Sequence, residues 1–213
     1  MKFPKPKALG LGVGLFVAVY VPAFIATALL RPHTELGIAL IIAITLLVAM
    51  LLIFLLTSAR EGFKEFGFRL PRSRYAGIAL ASGLALGLVA AFLNHLLPSK
   101  PPFDVSGFAP WKIGLYFIVG ASIQEEVIFR GLIQSTVEKR WALIFSVCGV
   151  PISGAVAFTA VLFGIIHLEV GAVVALGAVI LGLVAGELRR RSGSLLPAII
   201  VHAFFNCADA VWH

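Results

Sequence analysis

Leu36-Gly37-Ile38-Ala39-Leu40-Ile41-Ile42-Ala43-Ile44-Thr45-Leu46-Leu47-Val48-Ala49-Met50-Leu51-Leu52-Ile53-Phe54-Leu55-Leu56-Thr57-Ser58 runs for 23 residues without a charged side chain. A helix rises about 1.5 Å per residue, so about 20 apolar residues cross the roughly 30 Å hydrocarbon core of a bilayer. The stretch therefore predicts a transmembrane helix. Comparable runs lie at 8–30, 75–97, 111–136, 152–168, 170–188 and 195–212. Together they predict an all-α, polytopic transmembrane helix bundle of about seven spans. Residues 141–150, between Arg140 and Pro151, are too few to span alone. They read as an interfacial helix or as the first part of a bent fifth span, with eight spans as the alternative.

Composition agrees. Apolar residues make up 60% of the chain, charged residues 13%, and the mean hydropathy is +1.04; a soluble domain carries about 25% charged residues. One integral membrane domain over 1–213 is expected. Within it, 1–110 holds three N-terminal spans without diagnostic motifs, and 111–213 holds the spans with the polar motifs. The net charge of +7 does not point to nucleic acid, because the basic residues sit in short loops between apolar runs, where they set membrane orientation. Membrane lipid is an expected partner. Cys148 and Cys207 form no C-x-x-C, so neither a disulfide framework nor a thiolate zinc site is suggested.

Lys2, Lys5 and Lys7 precede the first run, and Ala26-Thr27-Ala28 resembles a signal cleavage site. The run of 23 residues over 8–30 is longer than a signal h-region of about 7–15, so it reads as a retained span. Arg60, Lys64, Arg69, Arg72 and Arg74 fill one loop, and Lys139-Arg140 and Arg189-Arg190-Arg191 mark two others. The alternate loops hold only Arg31, Lys100 and, near Glu169, no basic residue. The asymmetry predicts a cytoplasmic N-terminus and an outside C-terminus; with short loops and small size, a prokaryotic inner membrane is the expected setting. Gly10-x-x-x-Gly14, Gly83-x-x-x-Gly87 and Gly182-x-x-x-Gly186 are spacings that permit close helix contact.

The fourth span carries Gln124-Glu125-Glu126-Val127-Ile128-Phe129-Arg130 near its middle. Each ionised residue at a helix centre opposes insertion by about 2.5–3.5 kcal/mol, so three of them require a reason. Glu126 and Arg130 are four apart, in the favourable order for an intrahelical ion pair. Glu125 points about 100° away around the helix, toward a different neighbour, and is left for chemistry. The fifth span ends Phe163-Gly164-Ile165-Ile166-His167, and the seventh carries His202-Ala203-Phe204-Phe205-Asn206, whose polar stripe Asp209 continues. Separately these motifs are weak, since helix–helix hydrogen bonds use the same residues. Together, three spans each bring polar groups into an apolar interior. A carboxylate can serve as general base on a water that an imidazole positions, and an amide can donate to the oxyanion formed at an attacked carbonyl. The same groups can hold zinc.

Glu125-Glu126-x-x-x-Arg130, Phe163-x-x-x-His167 and His202-x-x-x-Asn206 resemble, in order and spacing, the signature of the CAAX prenyl protease and bacteriocin-processing family of intramembrane endopeptidases, also called the type II CAAX prenyl endopeptidases or Abi family. Ser194-Leu195-Leu196-Pro197 adds to the likeness, which covers roughly 111–212. The resemblance implies endopeptidase activity on a membrane-associated, prenylated CAAX-type substrate. It places the catalytic glutamate at Glu125, the water-positioning histidine at His167 and the oxyanion-side pair at His202 and Asn206, with Glu126 and Arg130 as supporting pair. Signatures of other intramembrane proteases (H-E-x-x-H, G-x-G-D, G-x-S-x-G) are missing. A metal would draw on Glu125, His167 and His202, with Asn206 or Glu169 as weaker additions. An arrangement without metal is preferred, because His202 and Asn206 form a natural donor pair, and the cofactor stays open. A non-catalytic immunity or assembly protein and a small ion- or proton-coupled transporter are the alternative functions. Counted from the basic ends, Glu125 lies roughly 18 Å deep, His202 roughly 10 Å and His167 roughly 23 Å, so one shared site requires tilt, an inward-dipping connection or a revised boundary near Pro151.

Overall fold

The computed structural model describes residues 6–30, 35–58, 60–97, 107–147 and 149–212. Lys2, Lys5, Arg31, Lys100 and Cys148, all named above, lie outside them, as does the side chain of Asp209. Seven helices form an all-α membrane bundle among the described residues: α1 (Pro6–Leu30), α2 (Glu35–Leu56), α3 (Ser73–Leu96), α4 (running from Pro110 to Glu138), α5 (Gly154–Ile165), α6 (Ala172–Ser192) and α7 (Leu196–Trp212). Of these, α1, α2, α3 and α6 are each long and apolar enough to cross a membrane. A short 3-10 turn, Gly62–Phe66, precedes α3.

Two expectations fail around Pro151. Residues 141–150 form neither an interfacial helix nor the start of a span. A β-hairpin stands there, β1 (Ile144–Val147) paired antiparallel with β2 (Val150–Ser153), with Ile144 opposite Ser153 and Val147 opposite Val150. Branched and aromatic side chains favour strands, and Gly149 at φ 80° supplies the left-handed backbone of the turn. The fifth helix is consequently shorter than 152–168. α5 has 12 residues, about 18 Å of helix, and ends before His167, which sits in the turn that links α5 to α6.

α6 acts as a ruler for both neighbours. A Cβ on Gly186 would meet Val156 at 2.7 Å, and one on Gly182 would meet the Ala160 Cα at 2.9 Å. From the other helix, a Cβ on Gly164 would lie 3.0 Å from the Ala175 carbonyl. α4 reads against the same marks: Gln134 donates to the Gly186 carbonyl at 3.1 Å, and the Gly182 Cβ position is 3.1 Å from the Arg130 guanidinium. Continuing that register one turn puts Glu126 near the level of Ala178, and Gly164, three residues before His167, near Ala175. The depths that disagreed when counted separately along each helix thus come together. α5 begins at Gly154, and α4 is wound in part as a wider helix with i→i+5 hydrogen bonds.

On the other flank, α3 offers Ala79, Gly83, Gly87 and Ala91 as a buried small-residue stripe. A Cβ on Gly83 would be 2.5 Å from the Val201 carbonyl oxygen, and one on Gly87 equally close to that of Phe205, so α3 and α7 meet backbone to backbone. Gly10 and Gly14 behave differently from the expected contact pair: nothing lies within 4 Å of either Cβ position, and Gly12 is the residue in contact, under Phe158 and Val137. The face of α1 turned to the bundle is two residues out of phase with the motif.

At the end of the bundle where the basic residues gather, the segment after α2 clasps three helices. Glu65 is ion-paired with Lys139 after α4 and hydrogen-bonded to Ser58. Arg189 of α6 donates to the Glu65 carbonyl at 3.0 Å and to Ser135 at 2.6 Å. The Leu195 amide, next to the first turn of α7, donates to Gly67 at 2.9 Å. The Lys139 and Ser58 bonds hold the Glu65 carboxyl down at about 2.

Candidate active site

The polar cluster is built on α4. Its stretches Gly114–Gly120 and Val127–Gln134 are π-helical, and the ordinary α-turn Ala121–Glu126 between them carries both glutamates. Such wide turns recur at functional sites, because they redirect side chains that a regular helix would splay apart.

Glu126 is completely buried. Its Oε1 lies 3.1 Å from Nη1 of Arg130, also completely buried, and 2.9 Å from Nδ1 of His202. The Arg130 contact has ion-pair distance without hydrogen-bond alignment, and none of its guanidinium nitrogens has a hydrogen-bond partner. The cation rests instead on aromatic faces, with its Cζ 4.7 Å from the Phe163 ring centre and 5.7 Å from that of Phe129. In an apolar surround such contacts stabilise a cation that water does not reach.

Glu125 does not face a neighbour of its own, as its helical angle suggested. Its Oε2 stands 3.6 Å from Nε2 of His202, so two adjacent carboxylates address opposite nitrogens of one imidazole. The side chain of Glu125 keeps 18% of its surface open, against 0% for Glu126 and 4% for His202, which makes it the accessible carboxylate of the cluster.

Phe163 is the hub. Its ring meets those of His167 at 4.7 Å, His202 at 5.6 Å and Phe129 at 5.0 Å between centres. The two imidazoles therefore lie no further apart than the sum of the first two distances. His167 Nδ1 is 2.8 Å from the Phe163 carbonyl oxygen. A carbonyl only accepts, so Nδ1 carries the proton and a neutral His167 keeps its lone pair on Nε2. Asn206, one turn beyond His202 on α7, donates to the Phe117 carbonyl at 2.9 Å and, weakly, to Ser122 at 3.5 Å. Its amide is directed to the α4 backbone rather than standing beside His202 as a free donor pair. Glu169, the weaker metal candidate, is exposed in the turn after His167. Among the described residues no three His, Cys, Asp or Glu side chains are grouped to hold a metal ion.

Several participants were not singled out from sequence. Phe163 stood in the quoted motif without a role. Ser122, completely buried one turn before Glu126, and Tyr20 of α1, whose hydroxyl is buried without a partner, were passed over. Tyr20 and Thr27 are the hydroxyl-bearing residues of α1, which is otherwise apolar after Lys7, and that was the available signal.

Residues 107–208 match the family described as type II CAAX prenyl endopeptidase Rce1-like. This part of the chain is Rce1-like. No curated protein and no solved structure matches the chain. The Rce1-like segment holds α4 to Ala208 of α7, hence every residue of the cluster except Tyr20. That family is one of CAAX-type intramembrane proteases, and the helices long and apolar enough to cross a membrane accord with the likeness.

Proposed function

We infer that the protein is an intramembrane endopeptidase that hydrolyses a peptide bond of a membrane-associated, prenylated CAAX-type substrate, with Glu125 as the base that activates water. The observation that carries this reading is the contrast within the cluster: Glu126 is sealed between Arg130 and His202, while Glu125 is partly open and meets only His202, at 3.6 Å. The water donates one hydrogen to Glu125 and the other to Nε2 of His167, leaving an oxygen lone pair free to attack the carbonyl. As Glu125 takes the proton it loses its charge, and negative charge appears on the substrate oxygen instead. His202 donates Nδ1–H to the Glu126 carboxylate, so its Nε2 donates to that oxyanion only as the imidazolium, and the weakly held second hydrogen of the Asn206 amide adds to it. Collapse of the tetrahedral intermediate breaks the C–N bond, and Glu125 returns its proton to the leaving amine. Arg130 balances the charge of Glu126, so His202 stays oriented.

The distribution of Lys and Arg supports a cytoplasmic N-terminus, and the short loops and small size support a prokaryotic cell membrane. Purified protein in detergent, given a farnesylated C-a-a-X peptide with and without a chelator, tests the activity. Cleavage by the wild type that Glu125→Gln abolishes is expected, and no cleavage, or equal cleavage by both, rejects the reading.

A further inference from the structure

Tyr20 lies on α1, outside the Rce1-like segment. Its ring packs on Phe16 at 4.9 Å and on Phe129 at 5.9 Å, and Phe129 in turn packs on Phe163, which carries both imidazoles. The phenol is thereby held one ring away from the hub of the cluster. Its hydroxyl is buried and has no hydrogen-bond partner among the described residues. A phenylalanine would make the same ring contacts without burying an unpaired hydroxyl, which is unfavourable. The fold thus gains nothing from the oxygen, which lies one aromatic ring from the cluster.

An extended peptide drawn to this depth brings backbone carbonyls that no water can satisfy, and each requires a donor. Glu125 and His167 Nε2 are acceptors. α1 and α7 both pack on α4, so Tyr20 reaches the site from a different helix than His202 and Asn206. We propose that the Tyr20 hydroxyl is a substrate-binding group of this site, donating a hydrogen bond to a backbone carbonyl oxygen of the peptide beside Glu125. This rests on the endopeptidase reading for the identity of the ligand. It also gives the N-terminal helix, which lies outside the family match, a direct part in recognition.

The test is Tyr20→Phe, which removes the oxygen alone. With a fluorescent farnesylated C-a-a-X peptide, KM should rise about tenfold with kcat little changed, while the melting temperature in detergent stays equal or rises. A second arm needs no turnover: in the Glu125→Gln background, adding Tyr20→Phe should raise the peptide Kd by a similar factor. Unchanged KM and Kd overturn the proposal. So does a lowered melting temperature with unchanged Kd, which marks a structural hydroxyl. A wild type that binds the peptide through Tyr20 but does not cut it keeps this inference and removes the hydrolytic one. A wild type that neither binds nor cuts removes both.

Discussion

Oε1 of Glu126 stands 2.9 Å from Nδ1 of His202, a contact between α4 and α7 made by two residues that are both buried. Because Arg130 shares the same carboxylate oxygen, the contact links a cation, an anion and an imidazole into one unit that water cannot replace.

The two glutamates should separate on substitution. Glu125→Gln keeps the fold, since Glu125 is partly open and its contact with His202 is a loose 3.6 Å, and lowers kcat by about 100-fold or more. Glu126→Gln leaves Arg130 buried and uncompensated, a loss of about 3–5 kcal/mol, so its melting temperature and yield fall as well. Equal melting temperatures for both variants would contradict this division of labour.

Glycine substitutions should sort by contact rather than by motif. Gly83→Ala drives a Cβ against the Val201 carbonyl, which cannot rotate away, and the helices must separate. A lower melting temperature and reduced activity are expected, since α7 carries His202. Gly10→Ala and Gly14→Ala meet nothing within 4 Å and should be neutral or slightly stabilising, as alanine is the better helix former. A melting temperature as low for Gly14→Ala as for Gly83→Ala would sink the assignment.

Acid should loosen the clasp around Glu65. Its folded value, about 2, lies below its ordinary 4.5, chiefly because of the hydrogen bond from Lys139. The stabilisation from a depressed carboxyl is fully present above the ordinary value and is lost as pH falls toward the folded one. Melting temperature should therefore decline between about pH 4.5 and 2 through this group, and Glu65→Gln should flatten that part of the profile. An identical acid limb in the variant would show that Glu65 contributes nothing to it.

Metal content can be decided directly. With water held by Glu125 and His167, activity should survive removal of bound metal by a chelator. Activity that disappears with stoichiometric loss of zinc and returns when zinc is restored would overturn this arrangement.

Membrane insertion and helix order were legible in the chain because they depend on local quantities. Apolar run length against bilayer thickness placed α1, α2, α3, α4, α6 and α7 within a few residues. The ion pair of Glu126 with Arg130 followed from helical spacing alone. Residues 141–150 were misread, since a short apolar run between a basic pair and a proline has no period long enough to separate helix from hairpin. Glu125 and Glu126 stand on one ordinary α-turn, about 100° apart, and yet share a neighbour, because the His202 ring lies between them and offers one nitrogen to each.

What sequence determined, then, was a helical membrane protein with a polar signature on its fourth, fifth and seventh apolar runs. That follows from transfer free energies and helical periodicity, which act residue by residue. Tertiary structure alone decided that both carboxylates meet one imidazole, that Phe163 joins the two histidines and that Tyr20 approaches from α1. Those relationships depend on how far α4 and α5 are displaced along α6. That displacement is set by Gly182, Gly186 and Gly164 admitting a neighbouring helix at distances no Cβ would allow. Nothing in the local sequence encodes such an offset, because it exists only once two surfaces have met.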